Sequence, residues 1–293
     1  KTNGVTVSLL PCGILPPMQP RRSPGSSAKP LTVTVEAQPG RPVYFISDVH
    51  LGYGSADSDA ERERLLLALL HRLAADASHV FIVGDLFDAW FDYRQVIPRG
   101  HVRTLAALAG LREAGIPITY LMGNHDFAHF RYFREVLDIP IVSTDVEAVI
   151  GTTTMYLAHG DGKAFNDTGY LILRSVLRNR LAQTLFRLIH PDVGIWLASR
   201  TSHGSRDYTS ARDLGQEDGL RAFAEDALAE GYNVVVMGHR HMVQYVESKN
   251  GVYVNLGHWL CAEPTFGLFD PATGSMQVGQ VRRWLRDGNM VLD

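Results

Sequence analysis

The sequence predicts an α/β fold: two stacked β-sheets flanked by helices, with a helical lid insertion. Three observations carry this. Five short apolar runs, at 43–46, 80–83, 118–122, 153–157 and 233–237, are rich in β-branched and aromatic residues. Such runs suit strands buried on both faces. Amphipathic stretches separate the early ones, and beyond His241 the pattern changes to short strands punctuated by turns such as Lys249-Asn-Gly251 and Asp270-Pro-Ala-Thr-Gly274. Strand–helix alternation followed by a β-rich end is what stacked sheets covered by helices require.

Taken in order, residues 1–41 read as a disordered leader. Pro11, Pro16, Pro17, Pro20, Pro24 and Pro30 punctuate it, and such a composition cannot bury a core. Its apolar fragments are too short for a signal sequence or a spanning helix. Residues 42–293 read as one domain. After strand 43–46, the capping-box spacing of Ser58-Asp-Ala-Glu61 is expected to start a helix carrying Leu65, Leu66, Leu69, Leu70 and Leu73. Strand 80–83 leads to a helix over 99–114, closed by Gly115 and Pro117. Strand 118–122, a short helix near 128–137 and strands within 147–158 complete the first half. Past the insertion, at about 166–213, a helix over 216–230 precedes strand 233–237. Strands 243–247, 252–256, 265–269 and 276–281 follow.

Composition narrows the function classes. Of 293 residues, 45% are hydrophobic and 20% charged, enough for a large core and too polar for a membrane bundle. No stretch reaches ~18 uninterrupted apolar residues. Cys12 and Cys261 offer no disulfide framework, so a reducing, cytoplasmic location is expected. A net charge of −3 argues against a general nucleic-acid binder, and no nucleic-acid partner is expected.

Each of the five runs hands polar residues to one rim. They lead into Asp48-Val-His50, Asp85, Asn124-His125-Asp126, His159 and His239-Arg-His241. Asp48, His50, Asp85, Asn124, His159, His239 and His241 supply carboxylate, amide and imidazole but no thiolate. That mixture suits Mn²⁺, Fe or Zn²⁺ better than Ca²⁺, Mg²⁺ or an iron–sulfur cluster. Seven donors exceed the needs of a four-coordinate structural zinc and suit two ions sharing one carboxylate. Such a pair activates water at neutral pH and clamps a phosphoryl group, which points to hydrolysis of a phosphate ester or anhydride. Asp-x-His or Gly-Asp alone is a common turn; the set in order, each after an apolar run, is what carries weight. Seven other histidines lie outside these motifs and read mostly as surface or satisfied polar groups, though His258, in Asn255-Leu-Gly-His-Trp259, could reach the rim.

Asp48-x-His50, Gly84-Asp85-x-x-Asp88, Gly123-Asn124-His125-Asp126, His159-Gly160-Asp161 and Gly238-His239-x-His241 resemble the calcineurin-like metallophosphoesterase superfamily over roughly residues 43–281. The resemblance implies an αββα sandwich of mixed sheets. It implies one ion on Asp48, His50, Asp85 and His241, and a second on Asp85, Asn124, His159 and His239, with Asp85 bridging. His125 would be a transition-state donor oriented by Asp126. More narrowly, Gly84-Asp-Leu-Phe-Asp-Ala-Trp90, Asp167-Thr-Gly-Tyr170, Gln183-Thr-Leu-Phe186 and Leu256-Gly-His-Trp259 are similar to the UDP-2,3-diacylglucosamine pyrophosphatase family of lipid A biosynthesis. That family often carries Arg where this chain has His125. The resemblance implies two divalent transition-metal ions, with Mn²⁺ first, and cleavage of a nucleotide-activated lipid.

The stretch 162–215 differs from the rest, with eight basic residues against four acidic, a local net of +4. Its aliphatic residues exceed one helical stripe. An ordinary helical cap is one reading. The other is a basic, apolar lid that receives acyl chains and phosphates, or touches an anionic membrane surface as a peripheral protein. On that reading Asp167, Tyr170, Arg200 and Arg206 contact the substrate. The alternatives are another phosphoesterase (phosphodiesterase, nucleotidase or phosphoprotein phosphatase) and a non-catalytic interaction protein, which the complete donor set disfavours.

Overall fold

The structure, a computed structural model, describes residues 29–163, 179–197 and 217–290. Among the described residues, twelve strands form two six-stranded mixed sheets. The first runs β1 (Leu31–Val35), β6 (Val146–Ile150), β7 (Thr153–Ala158), β8 (Val234–Met237), β10 (Gly251–Leu256) and β9 (Val243–Ser248). The second runs β12 (Ser275–Gln280), β11 (Thr265–Asp270), β2 (Val43–Ile46), β3 (His79–Val83), β4 (Ile118–Leu121) and β5 (Ile141–Val142).

Strand periodicity explains the four layers. In β2, Val43 and Phe45 face the other sheet, while Tyr44 and Ile46 face helices. Phe45 and Phe81 stack at 5.4 Å in the inter-sheet core with Val83, Leu121, Leu157, Val236 and Val254. On the outer side, Tyr44, Ile82 and Tyr120 pack under α1 (Ala56–Asp76), α2 (Val102–Glu113) and a helix following β12. The outer face of the first sheet buries Tyr156, Val235 and Tyr253 against Leu220, Ala224 and Leu228. Those three leucine and alanine positions lie on the helix Glu217–Ala229. Both faces of the central strands are covered, which is why they read as unbroken apolar runs. Each fully buried side chain of this size contributes ~1.5–3 kcal/mol.

Five expectations change. Leu31–Val35, assigned to the leader, is an edge strand paired in parallel with β6, from Leu31↔Val146 to Val35↔Ile150. Its register buries Val35, while Leu31 and Thr32 stay exposed. The N-cap of helix α1 lies three residues before the expected one. Ser55 is the N-cap, its Oγ accepting from Ser58 N at 3.2 Å, so Ser58 lies inside the first turn. The last strand ends at Gln280, and Val281–Asp287 is a helix that buries Trp284 beside Tyr44. The 99–114 helix opens as a 3-10 turn at Arg99–His101, and the short helix near 128–137 is confined to Tyr132–Glu135 (α3).

The insertion is described only over 179–197. Asn179 caps α4 (Arg180–Phe186) by accepting from Leu181 N and Ala182 N, and residues 191–197 are again helical. Asp167, Tyr170, Arg200 and Arg206 lie outside the described residues. Helix Glu217–Ala229 is α5, and Val281–Asp287 is α6.

Candidate metal centre

The parallel strands β2, β3 and β4 align so that the segments after Ile46, Val83 and Leu121 meet at one edge, where β7 and β8 of the other sheet also end. At that edge the backbone takes a conformation that L-residues avoid. Asp48, His50, Asp85, His239 and His241 all have positive φ, between 52° and 69°. Such residues cost of order 1–3 kcal/mol each, and they collect where a site over-determines the backbone. Five of the seven expected donors carry this strain.

Close approach explains two of the glycines. A Cβ added at Gly123 would lie 2.0 Å from Asp85 Oδ1, and one at Gly238 would lie 2.2 Å from Asp48 Oδ2. Each glycine lets a neighbouring carboxylate pass against bare backbone, immediately before Asn124 and His239 respectively.

The side chains converge. Asp48, His50, Asp85 and His159 are buried. Asp48 Oδ2 accepts from Ser47 Oγ (2.5 Å) and His239 N (2.9 Å). Asp48 Oδ1 is buried and has no hydrogen-bond partner. It faces His241 Nε2 at 3.3 Å and His50 Nε2 at 3.6 Å, and those two nitrogens are 3.0 Å apart. On the other side, Asn124 Oδ1 lies 2.8 Å from His159 Nε2 and 2.9 Å from His239 Nδ1. Asp85 Oδ2 sits between the groups, 3.2 Å from His159 Nε2 and 3.8 Å from His50 Nε2. An orphaned, buried carboxylate oxygen turned toward two imidazoles fits a cation. The sets Asp48/His50/His241 and Asp48/Asp85/His159 each bring donor atoms within 4.8 Å of one another.

Electrostatics agree with this arrangement. Burial by itself would raise the carboxyl of Asp48, but the imidazoles of His241 and His50 close beside it outweigh that and hold it well below the usual range. Burial likewise opposes ionisation of Asp85, and the charges of His159 and His125 overcome it. Burial pushes His239 down to about 4, with His159 adding to the effect, so it is a neutral donor near pH 7. The hydrogen bond between His159 Nδ1 and the Val83 carbonyl (2.9 Å) fixes the tautomer and aims Nε2 at the rim.

The structure gives Asp126 a different task from the one expected. Its Oδ1 accepts from Gly123 N (2.9 Å), and its Oδ2 from Leu86 N (2.8 Å) and the Tyr120 hydroxyl. Asp126 therefore staples the Asp85 loop to the Asn124 loop. The carboxylate facing His125 Nδ1 is Asp88, whose Oδ1 is 3.8 Å away and equally far from His50 Nδ1. Asp88 closes the Gly84-Asp85-x-x-Asp88 motif, and its place three residues after Asp85 is the signal in the sequence for this role. His258 does reach the rim, its ring stacked on that of His241 at 5.0 Å and 18°.

A family profile described as calcineurin-like phosphoesterase matches residues 41–243. The chain belongs to the calcineurin-like phosphoesterase family. It is a metal-dependent phosphoesterase, and the family's chemistry requires divalent ions, which the rim described above is able to hold. Among curated relatives, the chain is 30% identical over 237 residues to a UDP-2,3-diacylglucosamine hydrolase of Porphyromonas gingivalis, covering 74% of this chain and 90% of the relative. A protein of the same name from Neisseria gonorrhoeae is 29% identical, covering 75% and 90%. One from Haemophilus influenzae is 25% identical, covering 74% and 90%. Among the described residues, no helix is long and apolar enough to cross a membrane.

Proposed function

We propose that this phosphoesterase cleaves the pyrophosphate of UDP-2,3-diacylglucosamine to UMP and 2,3-diacylglucosamine 1-phosphate, using two divalent transition-metal ions, with Mn²⁺ first. The observation that carries the substrate is the match across 90% of the length of hydrolases so named. The convergent oxygen and nitrogen donors support the chemistry. Asp48, His50, Asp85 and His241 would hold one ion, and Asp85, Asn124, His159 and His239 the other, with Asp85 shared because its Oδ2 lies between His50 and His159. Bound there, the ions supply the positive charge that activates water and neutralises phosphoryl oxygens.

The chain's own residues do the rest. Ser47 and His239 N orient Asp48, leaving Oδ1 free for the rim. His125, with Asp88 beside its Nδ1, would donate a hydrogen bond to an oxygen on which charge develops. Asp126 positions both loops rather than touching substrate.

Residues 166–213 form the lid on this reading, with Asp167, Tyr170, Arg200 and Arg206 contacting substrate. Its described part supports a lipid-bearing ligand, because Leu181, Leu185, Leu188 and Trp196 are exposed, Leu188 to 80%. Burying acyl chains there contributes ~0.8 kcal/mol per methylene. The local charge of +4 would favour peripheral contact with the cytoplasmic face of an anionic membrane.

The test is hydrolysis of UDP-2,3-diacylglucosamine beside a soluble aryl phosphodiester by Mn²⁺-loaded protein. Preference for the diacyl nucleotide, with UMP released, supports the reading. Turnover of the phosphodiester alone would assign the chain to another phosphoesterase activity, an alternative that His125 itself favours, since it is the superfamily's general residue.

A further inference from the structure

The described part of the insertion packs on the loops that follow Asp85 and Asn124, and the contact there is built in detail. Two loops form the platform, one following Asp85 and the other following Asn124. They are zipped together by a parallel bridge between Phe91 and Ala128, with Asp92 N donating to Ala128 O at 3.4 Å. Asp92 then accepts from three successive backbone amides, Phe130 N (2.8 Å), Arg131 N (2.8 Å) and Tyr132 N (2.9 Å), which fixes the backbone at Phe130.

Onto this platform the insertion lays three groups. The Phe186 ring packs on Phe91 at 4.7 Å, and Phe91 meets Phe130 edge-on at 5.3 Å. The Arg187 guanidinium carbon lies 3.5 Å from the centre of the Phe130 ring. Gly194 abuts Tyr93 so closely that an added Cβ would lie 1.9 Å from the hydroxyl oxygen. Burial, together with the neighbouring charges of Arg94 and Arg131, weakens the hold of Arg187 on its proton, with Asp92 opposing. The Arg187 Nε and the Tyr93 hydroxyl are both buried without a hydrogen-bond partner. Neither group is held here by polar pairing, so packing and the cation–ring contact carry the attachment.

We infer that Phe186, Arg187 and Gly194, seated on Phe91, Tyr93 and Phe130, are positioning residues that set the insertion against the phosphoesterase rim and thereby select for a diacyl substrate. The clasp fixes one side of residues 179–197 to the loops that carry Asp85 and Asn124. Leu181, Leu185, Leu188 and Trp196 of the same segment stay exposed. A substrate with acyl chains therefore meets an apolar surface whose distance from the rim is set by this contact. A small phosphodiester, which reaches only the rim, does not depend on it. The selective part of the inference rests on the function proposed above; the attachment itself does not.

The test uses Gly194→Ala, Tyr93→Phe and the double variant in the full chain. Gly194→Ala must displace the Tyr93 hydroxyl, and Tyr93→Phe removes that hydroxyl without breaking a hydrogen bond. Hydrogen exchange of residues 179–197 should accelerate in Gly194→Ala and return toward the unaltered rate in the double variant. KM for the diacyl nucleotide should rise about three- to tenfold in Gly194→Ala, and again in Arg187→Ala, with kcat on a soluble phosphodiester unchanged. Arg187→Lys, which keeps the cation, should recover part of the loss. Unchanged exchange in Gly194→Ala, or no rescue by Tyr93→Phe, overturns the clasp whatever the substrate proves to be. Altered exchange with both substrates impaired equally overturns the selective role. If the unaltered protein ignores the diacyl nucleotide, the functional reading fails, and the exchange arm still decides the clasp.

Discussion

Gly123→Ala puts the centre under the sharpest stress that a single methyl group can apply. The new Cβ would stand 2.0 Å from Asp85 Oδ1 and 2.5 Å from Asp85 N, where ordinary contact begins near 3.4 Å. The carboxylate would have to retreat by roughly 1.4 Å, and the two loops would have to part. A misplacement of ~1 Å at a catalytic centre costs up to ~10²-fold in rate, so kcat should fall by about that factor. Overpacking costs ~1–3 kcal/mol, a drop in Tm of about 2–10 °C for a chain this size. The control is Gly110→Ala on α2, where a Cβ meets nothing within 4 Å and helix propensity favours Ala by up to ~1 kcal/mol. Elemental analysis, turnover of a soluble phosphodiester and thermal melts would be run on both variants. If Gly123→Ala kept full metal and turnover within about twofold of the unaltered protein, the close packing of Asp85 against the Asn124 loop would have no bearing on catalysis.

His125→Ala should retain its metal but lose ~10²–10³-fold in kcat, the scale for one transition-state donor, and His125→Arg should retain more activity on the diacyl nucleotide than Ala does; lost metal with turnover per ion unchanged would mark His125 as a ligand instead. His129 is buried among Trp90, Tyr120 and Phe133 with both ring nitrogens unpartnered, and burial pushes it down to about 3. Below ~6.5 the unfolded chain takes up a proton that the folded chain refuses until about 3, so stability falls as pH falls through that window, by up to ~1.4 kcal/mol per pH unit. His129→Phe, which breaks no hydrogen bond, should flatten that slope in denaturant titrations run between pH 6.5 and 4; an unchanged slope would show that other groups govern acid unfolding.

What could be read in the sequence follows from where burial is two-sided. Strands β2, β3, β4 and β8 are covered on both faces, so their apolar runs stand out, and each run ends where a donor begins. The edge strand Leu31–Val35 buries only its last residue fully and follows a Pro-rich stretch, so the composition around it hid the alternation. The cap of α1 is ambiguous in sequence because Ser55 and Ser58 both have cap chemistry and only the backbone decides; the extended φ and ψ of Ser55 do so. Within the site, residue types and order marked the side chains that converge at the rim, but not the left-handed backbone at Asp48, His50, Asp85, His239 and His241, since nothing in a non-glycine residue announces positive φ. The partner of His125 is hidden for a related reason. Asp126 is its sequence neighbour, yet the loop turns Asp126 inward to Tyr120 and Gly123 and leaves Asp88, from another strand, beside the ring.

The measurement that bears most directly on the centre is metal stoichiometry in the unaltered protein and in Asp85→Ala, by elemental analysis alongside turnover. Asp85 is the carboxylate placed between the His50 and His159 sides. The unaltered protein should hold two ions per chain, and Asp85→Ala should lose both together with hydrolysis. Retention of both ions and of activity by Asp85→Ala would contradict a shared carboxylate at this rim.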